Sequence, residues 1–226
     1  MVEASLNYHN IFADLPDLSA HLFAGATPRQ LMAGETLFRV GEAGNGCYRL
    51  DRGVLKVNIT SPKGDERILA IIGPGSIVGE LALIDGRPRS ASIIALKDCD
   101  LLFIGRAAFN EYATQHPEIY KYLVDVLASR LREADDTIAA TSFLSVKARV
   151  ARTLLELAKH LGQSEGAGRV IIRHKTNQGD IAALAGVARE NVSRVLSKWK
   201  KQNIVTRWSF YYTLKNTTAL ERELKT

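Results

Sequence analysis

Between Leu31 and Ile104 the apolar positions fall in short runs broken by glycine. Gly34-Glu-Thr-Leu-Phe38, Gly53-Val-Leu-Lys-Val-Asn-Ile59, Arg67-Ile-Leu-Ala-Ile-Ile72 and Ser92-Ile-Ile-Ala-Leu96 are β-type runs. Gly41, Gly44, Gly46, Pro62-Lys-Gly64 and Gly73-Pro-Gly75 punctuate them. Evenly spaced short strands with such turns predict a sandwich or a rolled barrel. The first 30 residues read as mainly helical. After the strands the period changes. Gly105 to Gln115 predicts a short helix, and Pro117 suits the first turn of a long one. In that helix Val124, Leu127, Leu131, Ala134, Ile138 and Thr141 keep a strict 3-4-3-4-3 spacing, which is a heptad seam. Asp125, Arg130, Arg132, Glu133, Asp135 and Asp136 fill the other faces. A helix lying on its own domain also carries an apolar stripe. One this narrow and regular predicts instead a parallel coiled coil of two copies, a homodimer.

Residues 146–161 form another amphipathic pattern, 162–168 a polar loop, and Val170-Ile-Ile-Arg-His174 a short strand. Two helices then bracket Gly186. Ala182 is small enough for two helices to cross closely, Gly186 suits a left-handed helix end, and Val192 packs the second helix on the first. Ile181, Ala185, Val187 and Val195 complete a small core. This spacing predicts a helix-turn-helix. Its second helix offers Arg189, Glu190, Asn191, Ser193, Arg194 and Lys198 to a partner. Arginine can grip guanine O6 and N7 with two bonds, and glutamate can accept from cytosine N4. A solvated first turn accounts for Arg189-Glu190 equally well when they are read alone. Ile204-Val-Thr-Arg207 and Trp208-Ser-Phe-Tyr-Tyr-Thr-Leu214 read as strands of a wing.

Composition sharpens this picture. The chain has 226 residues, 46% hydrophobic and 24% charged, enough for two small domains with a core each. Its net charge of +6 is unevenly held. Residues 146–226 carry 16 Lys and Arg against 6 Asp and Glu, an excess of +10, whereas residues 1–145 carry 14 against 18, a balance of −4. A basic module on a mildly acidic body points to nucleic acid. No apolar run spans a bilayer. Residues 1–22 carry Glu3, Asp14 and Asp17 but no Lys or Arg, unlike a secretory signal, so the expected compartment is the cytoplasm. Cys47 and Cys99 belong to no metal-binding spacing and read as buried thiols. The five histidines are scattered, and no nucleophile–base pair suggests an enzyme.

The most informative stretch runs Gly79-Glu-Leu-Ala-Leu-Ile-Asp-Gly-Arg-Pro-Arg-Ser-Ala-Ser92. It offers a turn with free backbone amides over Gly79, Glu80, Leu81 and Ala82, a carboxylate at Glu80, and an arginine and hydroxyl at Arg89 and Ser90. Amides and a guanidinium fork suit a cyclic phosphodiester, and a carboxylate suits a ribose hydroxyl.

This stretch resembles the phosphate-binding cassette of the catabolite activator (cyclic-AMP receptor) and fumarate–nitrate regulator superfamily of bacterial transcription regulators. The resemblance extends over nearly the whole chain. It takes in Gly41-Glu42, Gly53, Gly64, Gly73-Pro-Gly75, the long helix and Arg189-Glu-Asn-Val-Ser-Arg194. It implies an α+β fold: an N-terminal, jelly-roll-like β-roll that binds a cyclic nucleotide (residues 1–115), a long dimerisation helix (116–145) and a C-terminal winged helix-turn-helix (146–226). By position, Glu80 resembles the partner of the ribose 2′-hydroxyl, Arg89 the phosphate clamp and Ser90 a second phosphate donor. Arg130 matches an arginine beside the pocket glutamate. Arg189, Glu190 and Arg194 resemble the base-reading trio of a TGTGA-like half-site. Double-stranded DNA, a second copy and RNA polymerase are the implied partners, with no membrane and no metal.

One departure bears on the effector. Where the cyclic-AMP receptor bonds adenine with a Thr-Ser pair, this chain has Ala134 and Asp135. Ala134 donates nothing. Asp135 can accept one bond from adenine or two from guanine N1–H and N2–H, or it is simply a solvated acid among others. Cyclic AMP is expected, with cyclic GMP close behind. The alternatives are a family member that senses another signal or no ligand, and a nucleotide-controlled signalling scaffold without a DNA target.

Overall fold

A computed structural model describes residues 21–225. The chain divides into two compact units. Among the described residues, one combines the chain up to Ile59 with Ala70–Ala134, and the other combines Thr60–Leu69 with residues 135–225.

The first unit is built on short strands, two of which run into Thr60–Leu69. In chain order these are β1 (Thr27–Leu31), β2 (Thr36–Phe38), β3 (Gly46–Arg52), β4 (Leu55–Thr60), β5 (Glu66–Ile72), β6 (Ile77–Val78), β7 (Ser92–Ala95) and β8 (Cys99–Gly105). They form two four-stranded sheets, ordered β1-β8-β3-β6 and β2-β7-β4-β5. The strands alternate because the sheets share a core, and Leu31, Phe38, Leu50, Leu55, Ile72, Val78, Ile93 and Leu101 fill it. The helical expectation for the first 30 residues lies largely outside the described residues. Inside them it is corrected at Thr27–Leu31, which pairs along its whole length with β8.

Helix α1 (Glu80–Asp85) follows β6, and α2 (Arg106–Gln115) follows β8. The long helix α3 spans Glu118–Phe143. Its first half does lie on its own unit: Ile119, Tyr122, Leu123 and Val126 are buried with Leu22, Phe23, Ile77, Leu83, Ile104 and Phe109. The heptad seam is a separate stripe. Val124, Leu131 and Ile138 are each more than 60% exposed. Tyr120, four residues before Val124, extends the same spacing and is also exposed.

The second unit carries α4 (Val146–Leu161), β9 (Gly162–Gly166), β10 (Arg169–Ile172), α5 (Gln178–Ala185), α6 (Arg189–Lys201), β11 (Val205–Trp208), β12 (Tyr211–Leu214) and α7 (Thr217–Glu223). Its sheet is ordered β11-β12-β10-β9. The polar loop expected at 162–168 is corrected in part, because Gly162–Gly166 is a strand. All five of its residues are exposed, so it owes its conformation to pairing with β10 rather than to a buried face. Helix α7 had no sequence signal strong enough to read. Asn216 caps it, accepting from the Ala219 amide, and buried Leu220 anchors it. Lys147 of α4 pairs with Glu223 of α7.

Candidate nucleotide pocket and DNA interface

The amide-rich turn at Gly79–Ala82 is the start of helix α1. Gly79 is its N-cap at φ 82°, a left-handed conformation. A side chain there would be strained and would also meet Arg89, with Nη1 only 2.3 Å from where a Cβ would sit. The first amides of a helix lack intrahelical acceptors, so this end is suited to an anion.

Two buried charged groups mark this site, Glu80 within the turn itself and Arg89 beyond the end of α1. Glu80 is fully buried. Its Oε1 accepts from Arg130 Nη1 of the long helix at 2.7 Å, while its Oε2 is buried without a partner. Arg130 also donates to the Ile77 carbonyl. Arg89 is 5% exposed. Its Nη1 donates to the carbonyls of Gly46 and Gly79, both at 2.8 Å, and its guanidinium lies 4.2 Å from the centre of the Phe38 ring. Its Nε is buried without a partner. Burial pulls the Arg89 guanidinium below its usual pKa, an effect opposed by Tyr48, Cys47, Glu80 and Glu42.

The acceptor on Glu80 and the donor on Arg89 are among the buried polar atoms of this unit that lack a partner, with Arg106 Nε another. Buried polar groups normally find partners, and those that do not call for a ligand or water. A ribose hydroxyl suits the first and a phosphate oxygen the second. These residues therefore fit a cyclic nucleotide, which would bring both.

Sequence reasoning missed several residues that shape this site. Gly44 packs so tightly that a Cβ on it would sit 2.3 Å from the Ala82 Cβ and 3.2 Å from Arg89. Phe38 supports the guanidinium from β2. Arg106, the first residue of α2, donates to the carbonyls of Gly44 and Ala82 and so ties the Gly44 loop to α1. Ala82 is buried, and Leu81 and Ser90 are exposed. Asp135 is exposed and follows Arg130 by five positions, so it lies roughly 140° around the helix from it. It does not share the helix face that carries Arg130. Both cysteines are free and buried. Burial, reinforced by the Glu80 charge, pushes the Cys47 thiol up to about 12, so it stays protonated. Among the described residues no cluster of His, Cys, Asp and Glu could hold a metal.

In the second unit, Asn177 caps α5 through the amides of Gly179 and Asp180, and Asp180 returns the bond to the Asn177 amide. Gly186 ends the helix at φ 62°. Ile181, Ala185 and Val192 are buried as expected. Val187 and Val195 are only half-buried, and the deeper places are taken by Leu196 and Trp199. Along α6, Arg189, Glu190, Arg194 and Lys198 are exposed and Asn191 and Ser193 half-buried. No ion pair among the described residues engages Arg189 or Arg194, so both can meet an external acceptor.

Residues 28–116 match the family described as "Cyclic nucleotide-binding domain", and residues 148–223 match "Crp-like helix-turn-helix domain". The chain is 35% identical over 182 residues to the CRP-like cAMP-activated global transcriptional regulator of Mycobacterium tuberculosis, covering 80% of this chain and 81% of that one. The chain belongs to the cyclic-AMP receptor and fumarate–nitrate regulator family. A second family member, the cyclic AMP receptor protein of Thermus thermophilus, is also 35% identical, over 88% of this chain and 87% of its own. The crystal structure of a CRP/FNR family transcriptional regulator from Thermus thermophilus shares the fold with a TM-score of 0.77 and 25% identity, covering 88% of this chain and 99% of that one. The family is one of DNA-binding transcription regulators, so the protein is a regulator and not an enzyme. No helix among the described residues is long and apolar enough to cross a membrane.

Proposed function

We propose that the protein is a homodimeric transcription regulator that binds a cyclic nucleotide at Glu80 and Arg89 and, so loaded, binds a TGTGA-like pseudo-palindrome through Arg189, Glu190 and Arg194. The observation that carries the nucleotide half is the pair of buried, unpartnered atoms, Glu80 Oε2 and Arg89 Nε. The effector is cyclic AMP, in keeping with the names of the relatives. Asp135, with its capacity for two bonds to guanine, keeps cyclic GMP as the competitor to test. Ser90 and the amides of Gly79, Glu80, Leu81 and Ala82 add phosphate donors. Asn191 and Ser193 adjust the flanking bases, and Lys198 meets phosphate. The working division is a nucleotide domain to residue 115, a dimerisation helix over 116–145, and a DNA domain over 146–226. RNA polymerase is the proposed protein partner on DNA, and the cytoplasm the compartment.

The dimer reading rests on the seam of Val124, Leu127, Leu131, Ala134, Ile138 and Thr141, exposed at every position except half-buried Leu127. The coupling reading rests on Arg130. A ribose hydroxyl on Glu80 would lie against the same carboxylate that Arg130 holds, so ligand and long helix share one charge. If ligand tightens DNA binding through that helix, DNA must tighten ligand binding by the same factor.

Calorimetry of the ligand-stripped protein against cyclic AMP and cyclic GMP, repeated with saturating operator DNA, tests the whole reading. The expected result is binding of one nucleotide per chain, strengthened by DNA. No heat with either nucleotide, or an affinity that DNA leaves unchanged, refutes it.

A further inference from the structure

Arg89 is held from both ends by one loop. Its amide donates to the Glu42 carbonyl and its carbonyl accepts from the Gly41 amide, each at 2.8 Å. Its Nη1 donates to the Gly46 carbonyl at 2.8 Å. A Cβ on Gly44 would sit 3.2 Å from both the guanidinium carbon and Nε. Residues 41–46 therefore decide where the guanidinium lies and which way its buried, unpartnered Nε points.

Three of those six residues are glycine, so the loop has little stiffness of its own and ordering it costs conformational entropy. Arg106 supplies the constraint from outside. Gly46 stands opposite Gly105 in the β3–β8 ladder, which brings the next residue, Arg106, alongside the loop. The Arg106 amide donates to the Asn45 carbonyl at 2.7 Å. In its half-buried side chain a single nitrogen, Nη2, donates to the carbonyls of both Gly44 and Ala82. Loop and helix α1 are thus pinned together at one point by a charged donor, the stronger kind of hydrogen bond.

We propose that Arg106 is a positioning residue for the phosphate clamp. It acts through Arg89 rather than on the ligand. By closing residues 41–46 onto α1 it fixes Arg89 Nε toward one of the two exocyclic phosphate oxygens. The inference rests on the nucleotide-binding reading above and deepens it. Discrimination between the two oxygens then depends on a residue outside the Gly79–Ser92 stretch, as expected when the groups behind a contact set its geometry.

Phosphorothioates test this, because in their two diastereomers sulfur replaces one exocyclic oxygen or the other. Whichever of cyclic AMP and cyclic GMP the parent binds more tightly would be compared by calorimetry with its two phosphorothioates and its 2′-deoxy analogue. In the parent the diastereomers should differ about tenfold in affinity, because only one of them keeps oxygen against the charged donor. Arg106→Gln should weaken the natural nucleotide about tenfold and bring the diastereomers close to equal affinity. The preference for the 2′-hydroxyl, which Glu80 and Arg130 set, should stay as in the parent. Arg106→Lys keeps the charge without the planar fork and should fall between. Gly44→Ala leaves Arg106 in place but forces the same loop away from Ala82, whose Cβ the new one would meet at 2.3 Å. It should show the same pattern, and it carries the test if Arg106→Gln does not fold. The two changes together should cost little more than either alone, since both undo one closure. Parent affinity and diastereomer ratio retained in Arg106→Gln overturn the proposal. So does an equal loss for all four ligands, the mark of a roll that is only less stable, and so do losses that add in the double variant. A parent that binds the two diastereomers alike overturns it too, while leaving the nucleotide reading intact. A parent that binds neither cyclic nucleotide removes that underlying reading instead.

Discussion

Arg130 of the long helix holds one oxygen of the buried Glu80 carboxylate at 2.7 Å and leaves the other without a partner. The carboxylate is thereby fixed in place with one acceptor to spare. Glu80→Gln should therefore remove the preference for a ribose over a 2′-deoxyribose nucleotide. Wild-type protein should bind cyclic AMP more tightly than its 2′-deoxy analogue by about 1.5–3 kcal/mol, the worth of a hydrogen bond to a charged group. The variant should bind both equally, as calorimetry would read. A variant that still discriminates would place the sugar elsewhere.

Arg89→Leu should abolish nucleotide binding and leave a folded protein, because losing one partner of a desolvated charge pair costs about 2–5 kcal/mol. Phe38→Leu is the subtler change. It removes the ring beneath the guanidinium while preserving an apolar core residue, and should weaken binding by about 0.5–2 kcal/mol. Wild-type affinity in both variants would sink the phosphate assignment.

On DNA, Arg194 and Lys198 of α6 should behave differently. Arg194→Ala should cost about 1–3 kcal/mol and relax the choice at one base pair. Lys198→Ala should weaken all sequences alike and lower the dependence on salt. Selection from a random pool, followed by a salt-titrated shift assay, separates the two. A recovered motif without two-fold symmetry would refute the dimeric site.

Leu131→Asp puts a charge in the middle of the exposed seam. Sedimentation should show a shift from dimer to monomer, with the β-roll still folded by near-ultraviolet dichroism. An unchanged sedimentation coefficient would return the stripe to a solvated face.

His160, near the end of α4, offers a test of acid stability. Burial, helped by the neighbouring Lys159 charge, lowers its pKa to about 4. The folded state thus favours neutral imidazole, and the unfolded chain binds the extra proton below its ordinary value near 6.5. Stability is intact at neutral pH, falls as pH drops from about 6.5 to about 4, and levels off below that. The full shift corresponds to about 3 kcal/mol, but His160 is only half-buried, so about 1 kcal/mol is expected. His160→Gln should flatten urea-measured stability across this window. An unchanged slope would assign the acid sensitivity to other groups.

The parts of the site that were legible in the sequence are those whose residues are contiguous or helically spaced. Gly79 to Ser90 is one stretch, and Arg189 to Lys198 lies along one helix. Phe38, Gly44, Gly46 and Arg106 could not be read, because sheet pairing brings them to the cassette. Gly46 stands opposite Gly105 in the ladder between β3 and β8, which carries Arg106 to the Gly44 loop. Strand β9 was missed for another reason. Gly-Gln-Ser-Glu-Gly has neither branched residues nor an apolar face, and only its partner strand makes it extended. The two stripes of α3 were both present in the sequence, but the strict heptad masked the shorter set, Ile119, Tyr122, Leu123 and Val126, that packs on the roll.

Those two stripes part company at Val126, beyond which no residue of the helix is fully buried. A helix in a protein draws most of its stability from packing of an apolar face rather than from propensity. In the proposed dimer, the order of Leu127–Phe143 and the meeting of two copies are one equilibrium. The amount of helix then becomes a function of protein concentration, gained on association and frayed on dilution. The cell's copy number of this regulator would therefore set how much of the helix is formed, before any nucleotide arrives.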